Sequence, residues 1–228
     1  MSPKSREFWN GLKAELPILV GVFPFGLIFG VVVRQVGFPA GPAQATSTII
    51  FAGSSQFVAA QLFGQQASAI VILSTVFIIN LRHALYSATL APHLRHLSRR
   101  WKMLLAYLLT DEAFAVTVIR FQQPDSGRDK HWFMLGSGLA LWATWQGSTA
   151  VGIFLGAQIP AGWQLDFALP LTFIAIAIPA IRDRATLVAA VTAGLVSILL
   201  TGAPFKLELI LAALAGVFVG LIVESYTL

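Results

Sequence analysis

The run Met103-Leu-Leu-Ala-Tyr-Leu-Leu-Thr-Asp-Glu-Ala-Phe-Ala-Val-Thr-Val-Ile119 sets Asp111 and Glu112 side by side near the middle of an otherwise apolar stretch. Read as one helix, at about 1.5 Å of rise per residue, it holds both carboxyls on the order of 10 Å from either end. That is close to the centre of a hydrocarbon layer about 30 Å thick. A charge at such depth costs on the order of 3 kcal/mol by insertion scales. Packing alone does not require that expense. Acids in this position point to a polar pathway through a membrane.

The rest of the chain agrees. Of its 228 residues, 57% are hydrophobic and 11% charged, against about 25% charged in an ordinary soluble domain. Mean hydropathy is +0.77. Apolar segments run from Leu16 to Val33, Ala43 to Phe63, Ala69 to Leu90, Met103 to Ile119, Trp132 to Leu155, Phe167 to Ile181, Ala185 to Leu200 and Leu207 to Val223. They are too long and continuous for barrel strands, so the expected fold is an all-α, polytopic transmembrane helix bundle of about 7–8 membrane segments. Residues 1–228 read as one integral membrane domain, multi-pass in the cell (cytoplasmic) membrane. The first 15 residues, with Phe8, Trp9 and Leu12 beside Lys4, Arg6 and Lys13, read as a short interfacial helix leading into the first span. No cleavable signal pattern is visible there.

The net charge of +5 resides largely in short connections such as Arg95, Arg99, Arg100 and Lys102. This is the positive-inside pattern, and no nucleic-acid partner is expected. The chain has no cysteine, which removes disulfides, thiolate metal sites and cysteine nucleophiles. No cofactor is implied, and no nucleotide-binding loop is present, so the chain alone does not use ATP.

Topology raises one conflict. If every segment crosses and the N-terminus is cytoplasmic, the basic loop Pro92 to Trp101 falls outside, against the charge rule. A second segment that does not cross fully removes the conflict. Its centre, Phe51-Ala-Gly-Ser-Ser-Gln-Phe57, is small and polar enough to break a helix. Such a break is tolerated where it faces protein or a water-filled cavity. Pro17 and the Pro24-Phe25-Gly26 turn are expected to kink or interrupt the first segment, and Pro170 and Pro179 the sixth. Gly26-Leu-Ile-Phe-Gly30 resembles Gly152-Ile-Phe-Leu-Gly156, and Ile78 to Arg82 can be laid against Ile178 to Arg182. This faint echo fits either a transporter-type repeat or the chance similarity of apolar sequence. With Gly216 to Gly220, these glycine spacings suit close helix contact, within the chain or with a partner.

The third segment carries Asn80-Leu-Arg-His-Ala-Leu-Tyr-Ser87. Arg82 and Tyr86 share a helix face, with Asn80, His83 and Ser87 on a neighbouring one. Opposite charges buried in adjacent spans should find each other, so Arg82 is expected to pair with Asp111 or Glu112. A structural ion pair that only fixes register is the plainer reading, but four ionisable groups exceed what one bridge needs. His83 fits a proton relay or a satisfied packing histidine equally well. His93, His96 and His131 fall in expected loops. Gly53, Ser54, Ser55 and Gln56 form the second polar cluster. A helix starting there would offer free N–H groups to a substrate carboxylate, whereas the plainer reading is small-residue packing. Trp142, Trp145 and Gln146 can line a pocket or simply pack. Asp183, between Arg182 and Arg184, reads as a solvated turn.

These motifs resemble the AzlC family of branched-chain amino acid permeases, which includes YgaZ-type exporters. The likeness rests on Pro24-Phe25-Gly26, on Phe51 to Phe57, on Asn80 to Ser87 and on Thr110-Asp-Glu-Ala-Phe114, in that order. It covers most of the chain, with the distinctive motifs in the N-terminal half. The resemblance implies export of branched-chain amino acids or their analogues, and a small AzlD-type membrane subunit as partner. It assigns no residue roles. On physical grounds, Gly53, Ser54, Ser55, Gln56, Asn80 and Tyr86 are candidates to bind a neutral amino acid. Asp111, Glu112, Arg82 and His83 are candidates to couple an ion gradient, protons first. Two alternatives are weaker. A channel-like subunit shares the polar interior, and an intramembrane hydrolase would need Ser54 or Ser55 with His83, but the G-x-S-x-G elbow is absent.

Overall fold

The computed structural model describes residues 2–123, 129–158, 181, 183–202 and 207–227. Among these the chain is all helix, in ten segments. They are α1 (Pro3–Gln35), α2 (Ala40–Ile50), α3 (Gly53–Gly64), α4 (Ala69–Asn80), α5 (Arg82–Leu94), α6 (Arg99–Tyr107), α7 (Asp111–Gln122), α8 (His131–Gly156), α9 (Arg184–Leu199) and α10 (Leu207–Thr227). Most of the sixth expected segment, with Pro170, Pro179 and Arg182, lies outside the described residues.

The chain divides into two compact units, residues 1–65 with 76–163, and residues 66–75 with 164–228. In the second unit, α9 begins at Asp183. That side chain caps the helix by accepting from Thr186 N at 2.7 Å, while Asp183 N donates back to Thr186 Oγ1. Hydrogen bonds from the Thr186 side chain, then from its N–H, hold the exposed Asp183 carboxyl below the usual carboxylate range. Gly216 and Gly220 of α10 lie against Ala185 and Ala189 of α9.

The first unit is built on α1 and α8, which run parallel. Gly11 meets Phe133, Gly26 meets Ser148, Gly30 meets Thr149 and Gly152, and Gly156 meets Val31. A Cβ at Gly11, Gly26, Gly30 or Gly152 would collide with backbone or with Ser148, so these glycines set the helix separation. The echo between Gly26–Gly30 and Gly152–Gly156 is therefore two sides of one contact. The first segment is not interrupted: α1 runs unbroken through Pro17 and Pro24. The first 15 residues continue into it as its opening turns, started by Pro3 behind a Ser2 cap.

Two helical hairpins pack on this pair. In the first, α2 descends from the far end of α1 and α3 climbs back, with Phe38 stacked edge-on to Phe63 and Gly64 against Val36. Its tip is Phe51, left-handed at φ 43°, then Ala52 in extended backbone. In the second, α6 enters from the end where α1 starts. Trp101 meets Trp132 near the base of α8, and Leu108 meets Gly138 further in. α7 returns antiparallel to α1, and its end is tied to the start of α1 by Arg120–Glu7 at 2.7 Å. With arms of 9 to 12 residues, each hairpin reaches roughly half a bilayer. The tips meet: Tyr107 OH donates to the Thr48 carbonyl at 2.6 Å, and its ring lies 6.0 Å from that of Phe51.

Segment 43–63 is thus broken, in a hairpin that turns back on itself. Segment 103–119 is broken too, at Leu108 to Thr110, where the sequence reading had a continuous helix. The Arg95 to Lys102 connection consequently lies at the same end of the unit as the start of α1. Among the described residues, Pro3–Gln35 and Ala69–Leu94 are long and apolar enough to cross a bilayer. α8 has the length at 26 residues, but is diluted by Gly, Ser, Thr, Gln and Trp.

Candidate functional site

Two helix starts, Gly53 of α3 and Asp111 of α7, converge inside the first unit on Arg82, which follows the single-residue turn at Leu81 between α4 and α5. Each start lies where a longer apolar segment is interrupted. Arg82 joins them. Its Nη1 donates to Asp111 Oδ2, and its Nη2 donates to Ser54 Oγ at 2.7 Å. The side chains of Arg82 and Asp111 keep 28% and 39% of their surface accessible. They are not sealed like a bridge serving only packing. Asp111 is the first residue of α7, so its carboxylate also sits at the positive end of that helix. Glu112 follows it and is part-buried.

The two hairpin tips are finished differently. At α7, Thr110 Oγ1 caps the helix by accepting from Ala113 N at 3.4 Å. At α3 the residue before the helix is Ala52, which has no capping side chain. There Gln56 Oε1 accepts from Ala52 N at 3.3 Å, which leaves the N–H groups of the first turn without a side-chain acceptor.

Gln56 is 1% exposed. Its Oε1 also accepts from Trp145 Nε1 at 3.1 Å, and its Nε2 donates to Ser47 Oγ at 3.0 Å. Ser47 Oγ in turn donates to Thr149 Oγ1. Gln146 continues the brace, donating to the Ser47 carbonyl at 3.0 Å and accepting from Gln44 and Thr48. This network fastens the first hairpin to α8. Phe25, Phe29, Phe57 and Trp145 pack around it, with Phe25 and Phe57 stacked at 4.6 Å. A Cβ on Gly53 would lie 2.9 Å from both Phe25 and Trp145, so only glycine fits there.

The candidate residues therefore separate. Ser54, Arg82 and Asp111 form one cluster, with Gly53 supplying its close backbone. Gln56 and Ser55 turn inward, Ser55 Oγ donating to the Ala52 carbonyl. His83 Nδ1 lies 3.2 Å from the Asn80 carbonyl, away from both serines. Asn80 Oδ1 is buried without a hydrogen-bond partner. Tyr86 stacks on Phe114 at 4.5 Å, one turn beyond the Arg82–Asp111 pair. Trp142 donates to Tyr107 OH at 2.8 Å.

A cavity of about 280 Å³ lies further along α5 and α6, lined mainly by their apolar side chains with Met134 of α8, and none of Ser54, Arg82 or Asp111 lines it. It extends from Arg95 and Lys102 at the base of the unit to Ser87 and Leu109, next to Thr110. Glu15, on α1, was missed in the sequence because it closes the N-terminal polar stretch and reads as its edge. It is fully buried.

Interrupted helices around an accessible ion pair define an all-α integral membrane protein with a polar centre. The comparisons with known proteins narrow that class. The AzlC protein family matches residues 17–159, so the chain belongs to the AzlC family. The inner membrane protein YgaZ of Escherichia coli is 30% identical over 225 residues, 96% of this chain and 90% of that protein. A membrane protein of Archaeoglobus fulgidus is 33% identical over 79% of each chain. The branched-chain amino acid transport protein AzlC of Bacillus subtilis is 26% identical, over 76% of this chain and 69% of that one. No solved structure matches.

Proposed function

We propose that this protein is a secondary transporter that exports branched-chain amino acids across the cytoplasmic membrane. The observation that carries the reading is Arg82, bridging Ser54 and Asp111 where the starts of α3 and α7 meet. A zwitterion is complementary to that arrangement. Its carboxylate replaces Asp111 on the Arg82 guanidinium and takes the uncapped N–H groups of α3, and its ammonium takes the Asp111 carboxylate. The substrate thus opens the ion pair without leaving either charge unpaired. The apolar cavity that ends at Ser87 and Leu109 lies on the approach to this site and is the path by which an aliphatic amino acid reaches it.

Orientation follows from charge. Lys4, Arg6 and Lys13 share an end of the first unit with Arg95, Arg99, Arg100 and Lys102, and the positive-inside rule assigns that end to the cytoplasm. The cavity then opens from the cytoplasm, the side from which an exporter loads. The hairpin tips, joined through Tyr107 and Thr48, form the barrier that must part for release. The family resemblance adds a small AzlD-type subunit as partner, which co-purification from the native membrane checks.

The test is counterflow of labelled valine, leucine, isoleucine and methionine in proteoliposomes. Arg82→Gln and Asp111→Asn are each expected to cut the rate on the order of 100-fold, the loss of a charge-assisted contact to the substrate worth about 3 kcal/mol. Wild-type rates in both variants remove the site. Flux that rises without saturation makes the protein a channel instead.

A further inference from the structure

Glu15 is the least accounted-for group in the molecule. It is fully buried, and neither carboxylate oxygen has a hydrogen-bond partner. The Glu7–Arg120 pair fixes the antiparallel register of α1 and α7. Glu15 lies eight residues further along α1, and Glu112 eight residues back along α7, so both move about 12 Å inward and arrive level with each other. Glu15 is accordingly within electrostatic reach of Glu112. Thr117, on α7 between the two levels, is fully buried with its hydroxyl unpartnered. A broken line of polar groups thus follows the α1–α7 contact. It begins at the Arg82–Asp111 pair, passes Glu112, Glu15 and Thr117, and ends at Glu7–Arg120 near the base of the unit.

Among the described residues, the remaining surroundings offer Glu15 no counter-charge. Past His131, α8 contributes no titratable side chain to its last residue. On α1 itself, Lys13 is exposed, and Glu7 is bound to Arg120. Tyr107 at the end of α6 is bonded to Thr48. An ionised carboxylate with no donor in a dry site is among the costliest states a protein can hold, and such a group takes up a proton instead. Among the described residues no cluster of three or more acids and histidines could hold a metal ion there.

We infer that Glu15 is a proton-binding residue, and that it exchanges its proton with Glu112 along the α1–α7 contact. Neither Glu15 oxygen is hydrogen-bonded in this state, so the proton passes through a water admitted between the acids: the Glu15 carboxyl gives one proton to the water, the water gives one to the Glu112 carboxylate, and the negative charge moves from Glu112 to Glu15. As the coupling step of an exporter this rests on the transport reading above. As a property of the buried acid it does not.

Infrared spectroscopy of the full chain in lipid decides the acid itself. At neutral pH the wild type is expected to show the carbonyl stretch of a protonated carboxyl, shifted down in heavy water. Glu15→Gln, nearly isosteric, removes it, and Glu15→Asp keeps a displaced one. No such band in the wild type, or a band unchanged in Glu15→Gln, overturns the inference. In proteoliposomes, Glu15→Gln should retain valine counterflow, which also shows that it folds, and lose acceleration by an imposed pH gradient. Gradient-driven flux at the wild-type level overturns the coupling role. A wild type that moves no valine sinks the transport reading, and the infrared band still decides Glu15.

Discussion

The two hairpins of the first unit have the same outline and opposite chemistry at their tips. α2–α3 turns on small residues and a left-handed Phe51, carries no charge, and is held by Gln56 to Ser47 and Trp145. α6–α7 turns on Thr110 and presents two acids at the head of a helix. Even the capping is divided. The α7 tip has the forward half of a capping box, Thr110 to the Ala113 N–H. At the α3 tip it is Gln56, one residue beyond the capping-box position, whose side chain reaches back to the Ala52 N–H. The division has a consequence. The second tip is already filled with negative charge, so it cannot take an anion. The first is neutral, uncapped and next to Arg82, and it can. In the proposed transport reading, one hairpin would supply the anion site and the other the carboxylate that occupies Arg82 in the meantime.

The largest effect on transport, and the one that would break this comparison, is on the link between the tips. Removing Arg82 alone leaves Asp111 without its partner, and removing Asp111 alone leaves Arg82 without one; because the pair is only part-buried, each single change should destabilise by about 1–2 kcal/mol. The double variant Arg82→Met with Asp111→Leu should be less destabilised than the sum, because it leaves no lone charge. Thermal unfolding of the purified proteins measures the cycle. Strict additivity would mean that the pair is not coupled, and that the site is two unrelated residues.

Part of this was legible in the chain. Charges in apolar runs have so few solutions that Arg82 had to meet an acid on a neighbouring segment, and Asp111 is the acid it meets. The small-residue cluster at 53–56 marked the first break for the same reason, since nothing in it favours a continuous helix. The second break was concealed. Leu108 and Leu109 are as apolar as any helix interior, and only Thr110 with the acids after it carries the start signal. Inside a run long enough to cross, that signal was read as chemistry instead of as a cap. Gln56 was misjudged differently: a polar residue in an apolar run can serve a ligand or hold a turn, and its partners Ser47 and Trp145 are 9 and 89 residues away. Spacing does not reveal such distances. Glu15 was overlooked because its burial is created wholly by the packing of α1 on its neighbours.

The next effect sharpens the difference in how the tips are held. Gln56→Leu leaves the Ser47 hydroxyl, the Ala52 N–H and the Trp145 N–H without their shared partner in a dry interior. A loss of about 2–4 kcal/mol is expected from unfolding curves. The second tip, tied to the first through Tyr107 and Thr48, should respond less: Tyr107→Phe removes the donor to Thr48 and the acceptor of the Trp142 N–H, both beside an exposed ring, and is expected to cost about 1 kcal/mol. Equal losses in the two would show that the hairpins are braced alike.

The smallest effect is the most discriminating, because it alters the caps alone. Thr110→Ala removes the oxygen that accepts the Ala113 N–H and should cost about 1 kcal/mol in stability. Its effect on valine affinity should be slight, since that tip is not the one offered to the substrate. Ala52→Ser does the converse. Its backbone is already extended, at φ −146°, as a cap residue requires, so the new hydroxyl can take an N–H of the first turn of α3. Stability should hold or rise. The same N–H groups are the ones assigned to the substrate carboxylate, so the valine concentration for half-maximal flux should rise roughly fivefold, the equivalent of about 1 kcal/mol. A variant that gains stability with its affinity intact would move the carboxylate off α3 and leave Arg82 as its sole anchor.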